Sequence, residues 1–536
     1  MGELKAAVVA SLAVASVAQA NAVHPRASQT QANWFQTSPD NYAGTIETGA
    51  APFLAQTNPA QFGQATYVPN APLETSEPIQ GANGRNIFHL MGDQSPYFSP
   101  KEGFGVDEYP LPKGANITHM HMLQRHGSRY PSSSEGLSSW GVSIASAIKN
   151  GTVFKGGLDF LNDWTYNLGE EILVPVGRQE LFDSGILNYY NYGHLYDNSS
   201  KIVVRTTLQS RMLESCENFL AGFFGLSWRD NANILATVDS AVTGDYACTK
   251  ELESLESIET PVGTWMETYL KDRTAYLKTL TGSYDWTVTD TYHAQSLCPY
   301  ETISVGYSPF CELFSYEEWE GYEYLMDIEF AAMSGFLSAT GRAQGKYWVE
   351  EFLARVEGHF VTAPANQTGC NMTLDTNPVT FPLNQSLYLE FTHDANIVSV
   401  LTAFGLTQFS DYLPLTGPPR NQQFSTSKLV PFAGRLNIEI IKAPHEVSTK
   451  RSKKTKTADY VSGSGETYYV HFIQNQRTIP LHASFEACEY RDDGWCELST
   501  FLEVQKKSLV EAEYSYACFG NWTMKSYGTV RNGVPA

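Results

Sequence analysis

Arg125, His126, Gly127, Ser128, Arg129, Tyr130 and Pro131 follow a run, Ile117 to Gln124, that reads as a strand approaching the surface. An imidazole held between two guanidinium groups at a strand end is suited to phosphate. Guanidinium matches phosphate oxygens in a planar, bidentate fashion, and imidazole is one of the few side chains able to accept a phosphoryl group covalently. The Arg, His, Gly, Arg and Pro of this heptad would coincide by accident in a chain of this length with a chance of roughly one in ten thousand at average residue usage.

Far along the chain, Phe391 to Ile397 contains the pair His393 and Asp394. Between these two places, Val203, Val204 and Arg205 end a strand-like segment, followed by Arg211, Met212 and the apolar stretch Phe219 to Phe224. The heptad resembles the signature of the histidine acid phosphatases, especially fungal phytases, usually Arg-His-Gly-x-Arg-x-Pro. The later His-Asp pair and the arginine at a strand end resemble the second and third elements of that family. Similar blocks recur at His89 to Pro100, Leu158 to Gly169, Ser308 to Phe314, Asn377 to Asn384 and Pro431 to Leu436, so the resemblance runs from about residue 85 to the C-terminus.

The resemblance implies an α/β fold: a three-layer α/β sandwich with a mixed central sheet, phosphoglycerate-mutase-like, plus a mainly helical cap domain. It also implies roles. His126 is the expected nucleophile and Asp394 the expected proton donor, with Arg125, Arg129, Arg205 and His393 clamping the substrate phosphate. For Arg211, an ion-pair partner and a direct phosphate contact are both open. Neighbouring positive charge disfavours protonation of His126 and lets it stay neutral in acid, while lowering the pKa of Asp394 until a substrate dianion offsets the field. An acidic optimum is therefore expected. The scheme asks for no metal or cofactor, and the acidic pairs Glu170–Glu171 and Glu317–Glu318 read as solvated helix faces.

The rest of the chain must position these groups. Met1 to Lys5, an apolar stretch to Val17 and the triplet Ala18, Gln19, Ala20 read as a signal peptide over residues 1–20. Secretion is the expected location. No later run approaches ~20 uninterrupted apolar residues, and Gly528 to Ala536 is polar, so no membrane association is expected. Residues 21–80 read as an extended or disordered segment, with a structured arm as the alternative, and residues 81–536 as the catalytic domain. Strand-like segments at 117–124, 201–205, 386–392, 435–441 and 467–474 alternate with helical stretches. The strand-poor blocks at about 136–200 and 235–375 are assigned to the cap. Lys450 to Lys456 reads as a solvated hairpin loop rather than a substrate-steering patch.

Fifty-seven acidic against 36 basic residues give a net charge of −21, which argues against nucleic acid and anionic membranes as partners. Positive field must then be local to the site. Eight cysteines suit an oxidising compartment and allow 105 pairings. The resemblance suggests Cys298 with Cys311, Cys488 with Cys496 and Cys248 with Cys518, leaving Cys216 and Cys370 paired or reduced; the cysteine that relatives carry before the catalytic strand is missing. Glycan acceptor triplets start at Asn116, Asn150, Asn198, Asn366, Asn371, Asn384 and Asn521.

His119 and His121, in strand alternation with Met120 and Met122, read as packing residues rather than metal ligands, and Arg435 as a support of the fold. The functions weighed are a secreted acid phosphomonoesterase able to use phytate, a narrow phytase, a phosphoglycerate-mutase-like transferase and a catalytically silent secreted binding protein. The signal sequence and His393–Asp394 speak against the mutase, and the intact His126 and Asp394 against the silent protein. Small phosphate monoesters are the expected partners. Phytate-preferring relatives tend to carry lysines just after the signature proline, where this chain has Ser132 to Ser139 with Glu135, so strong phytate preference is not expected.

Overall fold

The computed structural model describes residues 85–197, 199–237, 248–251, 258–362, 370, 372–451 and 460–536. The expected leader and the segment 21–80 lie outside these residues, as do Asn198, Asn366, Asn371 and most of the basic run at 450–456.

Eight strands form one mixed sheet: β1 (Asn116–Arg125), β2 (Ile202–Thr207), β3 (Ala232–Thr237), β4 (Leu387–Thr392), β5 (Arg435–Ala443), β6 (Thr467–Gln474), β7 (Arg477–Ile479) and β8 (Cys496–Glu497). Their order is β3-β2-β4-β1-β5-β6-β7, with β8 on β6. β3, β2, β4 and β1 run parallel, and β5, β6 and β7 continue antiparallel. The expected strands are found within a few residues of their predicted ends, whereas β3, β7 and β8 were not anticipated.

The helices of eight or more residues are α1 (Leu137–Lys149), α2 (Pro175–Tyr192), α3 (Ser210–Phe224), α4 (Glu259–Tyr269), α5 (Lys271–Lys278), α6 (Val288–Val305), α7 (Tyr316–Met333), α8 (Gly341–Glu357), α9 (Asp394–Phe404) and α10 (Leu498–Glu511). Strand alternation sorts β1 between two cores. Met120 and Met122 pack with Val204, Leu389 and Phe391 against Leu181 of α2 and Met212, Phe219 and Phe223 of α3. On the other face, His121 stacks on Tyr388 at 4.5 Å and meets Phe352 of α8 edge-on, the packing role expected of it. Ile438, Ile440 and Phe472 there join Trp348, Phe352, Phe404 of α9 and Phe501 of α10. Both sheet faces are thus covered by helices, the α/β sandwich that the resemblance implied.

The assigned cap spans need a correction. α2 lies inside the first block and α8 inside the second, yet α2 packs along α3 and α8 along α9, in the layers flanking the sheet. Apolar periodicity marks a buried helical face without saying which surface it covers. Of the remaining helices, α1 meets α6 through Trp140, which contacts Trp286 at 6.0 Å and Phe310 at 5.9 Å and donates from Nε1 to Asp290, while α4 and α5 pack on α6 and α7 packs on α4. Capping boxes start two of them, Thr287 with Asp290 at α6 and Ser315 with Glu318 at α7. Glu318 also pairs with Arg273 at 2.9 Å, so it caps and cross-links rather than facing solvent alone.

Three disulfides join Cys248 to Cys518, Cys298 to Cys311 and Cys488 to Cys496, the pairs the resemblance suggested; Cys216 and Cys370 are buried outside any disulfide. The first spans 270 residues and the second 13. A long closed loop restricts the unfolded chain more than a short one. Replacing Cys248 and Cys518 together with serine is expected to cost about 2–5 kcal/mol, and the Cys298–Cys311 pair less; the two melting temperatures, measured side by side, check that order.

Candidate active site

The site begins where β1 and β4 end together. Arg125 lies opposite Thr392 in the parallel ladder, and the His126 N–H donates to the Thr392 carbonyl at 3.2 Å. His126 and His393 are therefore each one residue past the pairing, with ring centroids 5.5 Å apart. The His126 carbonyl accepts from the Ala433 N–H at 2.8 Å, tying the same point to the turn before β5.

The loop after β1 is fixed through its backbone. Gly127 N–H donates to Ser215 Oγ of α3, and Ser128 N–H donates to Glu180 Oε2 of α2 at 2.8 Å. A Cβ on Gly127 would stand 2.3 Å from the Gly177 carbonyl oxygen, and one on Gly177 would stand 2.1 Å from the Ser128 oxygen. Only glycine permits this approach of loop and helix.

His126 is 1% exposed, and its Nδ1 lies 2.9 Å from the Gly127 carbonyl oxygen. A carbonyl can only accept, so Nδ1 carries the proton and Nε2 holds the free lone pair. Burial first, then the charges of Arg125, Arg129 and His393, hold this imidazole well below its ordinary range. The sequence argument named the arginines; desolvation is the larger cause.

Asp394 opens α9 and accepts from the Ala395 N–H at 2.7 Å, with His393 at the N-cap position. Arg125, fully buried, reaches it at 2.5 Å through Nη2. Burial pushes the Asp394 carboxyl up, but Arg125, followed by His393, the Ala395 N–H and Arg129, outweighs this and the net direction is down. Arg125 also donates to the carbonyls of Asp93 and of Val430, the latter at 2.7 Å, and its Nη2 lies 3.5 Å from Asp93 Oδ2.

Arg129 donates to the Tyr130 carbonyl at 2.8 Å and pairs with Glu135 at 3.4 Å. Glu135 accepts in addition from the Ser132 N–H and from the Tyr300 hydroxyl of α6, both at 2.9 Å. Arg211, in the first turn of α3, pairs with Glu171 and feels the charges of Arg129, Asp394 and Arg125. Among the described residues, Nε of Arg129 and Nε of Arg211 are buried without a hydrogen-bond partner, two donors left for a ligand oxygen.

Arg205 is not brought to this cluster. Its guanidinium is 2.8 Å from Glu351, 2.9 Å from Asp375 and 3.2 Å from the Thr380 carbonyl, with Glu390 at 3.9 Å. Those partners occupy its donors in a buried ion-pair network, so the structure does not bring this strand-end arginine to His126, whereas Arg211 lies in the charge field of Arg129, Asp394 and Arg125. Arg435, its guanidinium over Tyr97 at 4.2 Å, supports the fold as expected. Glu171 is a second correction, since it sits in the loop before α2 with φ 65° and holds Arg211.

Three further carboxylates join the site. Burial pushes Asp93 up to about 7 against the pull of Arg125. Glu329 of α7 rises to about 8, through burial and then the charges of Asp93, Glu135 and Asp394. Glu135 is the third. The segment carrying Asp93 is pinned by the Gly92 N–H donating to Glu323 at 2.7 Å and the Tyr322 hydroxyl donating to Gln94 at 2.9 Å. Sequence spacing links neither Asp93 nor Glu329 to His126, because they arrive from the segment before β1 and from α7, whereas Glu135 lies in the loop that follows β1.

Comparison with known proteins shows the family and the fold. A family model described as Histidine phosphatase superfamily (branch 2) matches residues 116–475. Phytase A of Aspergillus awamori is 30% identical over 434 residues, covering 77% of this chain and 87% of the relative. Phytase A of Aspergillus fumigatus is 30% identical over 435 residues, with the same coverage of 77% and 87%. Among solved structures, the phytase from D. castellii superposes with a TM-score of 0.62 at 21% identity, over 83% of this chain and 90% of that one. The Bifidobacterium longum multiple inositol polyphosphate phosphatase, in complex with inositol hexasulfate, gives 0.53 at 15% identity over 75% and 94%. This chain belongs to branch 2 of the histidine phosphatase superfamily, and within it is similar over most of its length to the fungal phytases.

Proposed function

We propose that this hydrolase is a secreted acid phosphomonoesterase, acting on phosphate monoesters including phytate through a phosphohistidine intermediate. The observation that carries the reading is the Nε2 lone pair of His126 in the field of Arg125, Arg129 and His393, with Arg125 in turn ion-paired to Asp394. The disulfides support an oxidising compartment, and no described helix is long and apolar enough to cross a membrane.

In the first step Nε2 attacks phosphorus, the P–N bond forms, and the ester P–O bond breaks as Asp394 gives its proton to the leaving oxygen. A phosphate dianion competes with the Asp394 carboxylate for Arg125, so substrate binding releases Asp394 from the ion pair and lets it take up the proton it donates. In the second step water attacks phosphorus, its proton passes to Asp394, and the P–N bond breaks. His393, Arg129 and Arg211 neutralise the charge on the transferring oxygens.

His126→Ala is expected to lower kcat/KM by at least about a thousandfold on every ester. Asp394→Asn should lose far more on phytate than on p-nitrophenyl phosphate, because nitrophenolate leaves without a proton. Equal losses on the two esters, in steady-state assays, would remove Asp394 from the donor role. The depressed His126 keeps its lone pair as pH falls, while Asp394 must be protonated to act, so activity should peak in acid and decline as pH rises. A kcat/KM profile peaking above neutrality contradicts this.

Arg211→Ala should lower kcat/KM on all phosphate esters without loss of fold. Arg205→Ala instead leaves Asp375 without its cation and Glu351 with Arg355 at 3.9 Å, at about 3–5 kcal/mol of stability, while activity per folded molecule is kept. Melting temperatures measured together with activity normalised to folded protein separate the two arginines.

A further inference from the structure

His126 and Arg129 stand on a stretch beyond the end of β1 that belongs to no helix, so its backbone must find hydrogen-bond partners elsewhere. Ser128, between them, is fully buried, and its N–H has no water to turn to. It donates to Glu180 Oε2 of α2 at 2.8 Å, while the other oxygen of the same carboxylate, Oε1, accepts from the Tyr97 N–H at 3.0 Å. Tyr97 closely follows Asp93, the second partner of Arg125. One carboxylate thus ties the loop of His126 and Arg129 to the segment that holds Arg125 from the other side of β1.

Two other sets of contacts fix this region, and they show what is particular to Glu180. Ser215 Oγ and the Val174 N–H hold the loop alone, through the Gly127 N–H and the Ser128 carbonyl. The turn before β5 bridges loop and segment with backbone only, as the Phe432 N–H donates to the Ser95 carbonyl at 2.9 Å and the Ala433 N–H to the His126 carbonyl at 2.8 Å. Glu180 makes the same bridge with a side chain. It forms no ion pair among the described residues, and covering a carboxylate without a cation is costly, so packing alone would favour an apolar residue on this face of α2. Burial pushes the Glu180 carboxyl up, partly offset by the N–H groups of Tyr97 and Ser128 and by the charge of Arg125. Two acceptor oxygens on one rigid group are what this side chain supplies and an apolar one does not.

Resting on the phosphatase reading above, we propose that Glu180 is a positioning residue for phosphoryl transfer: through the N–H groups of Ser128 and Tyr97 it sets His126 Nε2 and the Arg129 guanidinium in line, without itself meeting the substrate. A displacement of about 1 Å at such a site costs on the order of a hundredfold in rate. Loss of the bridge therefore falls on the transfer step rather than on attraction of the anion.

Glu180→Gln keeps the volume but sets an amide N–H group against one of the two backbone donors. Vanadate and sulfate, titrated calorimetrically near neutral pH, separate alignment from charge without turnover. Vanadate gains a fifth ligand only where His126 Nε2 stands in line, whereas sulfate stays tetrahedral and reports the cations alone. In the variant, vanadate affinity should fall at least about tenfold more than sulfate affinity, and kcat/KM on p-nitrophenyl phosphate should fall at least about tenfold per folded molecule. Should Glu180→Gln not fold, Glu180→Asp, with the charge kept and the reach shortened, is read in the same way. Equal changes for the two anions overturn the proposal, as does full activity once the variant is cooled until all of it is folded, or a wild-type protein that binds vanadate no more tightly than sulfate. Hydrolysis of neither phytate nor p-nitrophenyl phosphate by the wild-type protein would sink the phosphatase reading separately, with the comparison of the two anions still deciding the role of Glu180.

Discussion

The parallel register of β1 on β4 sets Arg125 opposite Thr392, and from this pairing the His126 imidazole and the His393–Asp394 pair emerge side by side. A slip of one residue would turn the side chains of β1 to the opposite faces, carrying Met120 and Met122 out of the core they share with α3. Packing over the whole sheet therefore enforces the placement of His126. The loop beyond needs only short-range anchors, which Glu180, Ser215 and the Gly127–Gly177 approach supply.

Electrostatics at this edge follows from burial. A fully buried arginine such as Arg125 needs a counter-charge, and Asp394 provides it when no substrate is present. In the proposed reaction, exchange of that carboxylate for a phosphate oxygen would keep the guanidinium paired throughout, with little reorganisation on binding. The chain as a whole carries −21 charges, and the same acidity reaches into the site through Asp93, Glu135 and Glu329. Attraction for phosphate there rests on direction and proximity, not on an excess of positive charge.

Much of the placement of the candidate groups was legible in the sequence, because the residues proposed to react lie in two short segments whose residue types have few other uses. The strands carrying them were legible too, since a β-rich run between turns is a local signal. Arg205 shows the limit. Its position on a strand before a helix suits a phosphate ligand, but its side chain meets Glu351 of α8 and Asp375, residues about 150 positions away that no local pattern connects to it. Arg211, six residues later, had the same local credentials and different neighbours. Asp93 and Glu329 carried no signal, since each is an isolated acid until α7 pins the segment before β1. The helices α2 and α8 were assigned to the cap for the same reason, their apolar faces being visible and the surfaces that cover them not.

β1 stands in the middle of the sheet, and both of its neighbours come late: Met120 pairs with Leu387 on one side and Glu439 on the other. At ~5–20 residues per second of synthesis, the nascent strand waits on the order of tens of seconds for its first partner. During that time an apolar run with open edges is exposed, and the bond from Cys248 to Cys518 closes last of all. Folding of this enzyme is thus a late event, gated by completion of the chain, and dependent on whatever shields an unpaired central strand in the compartment where the chain matures.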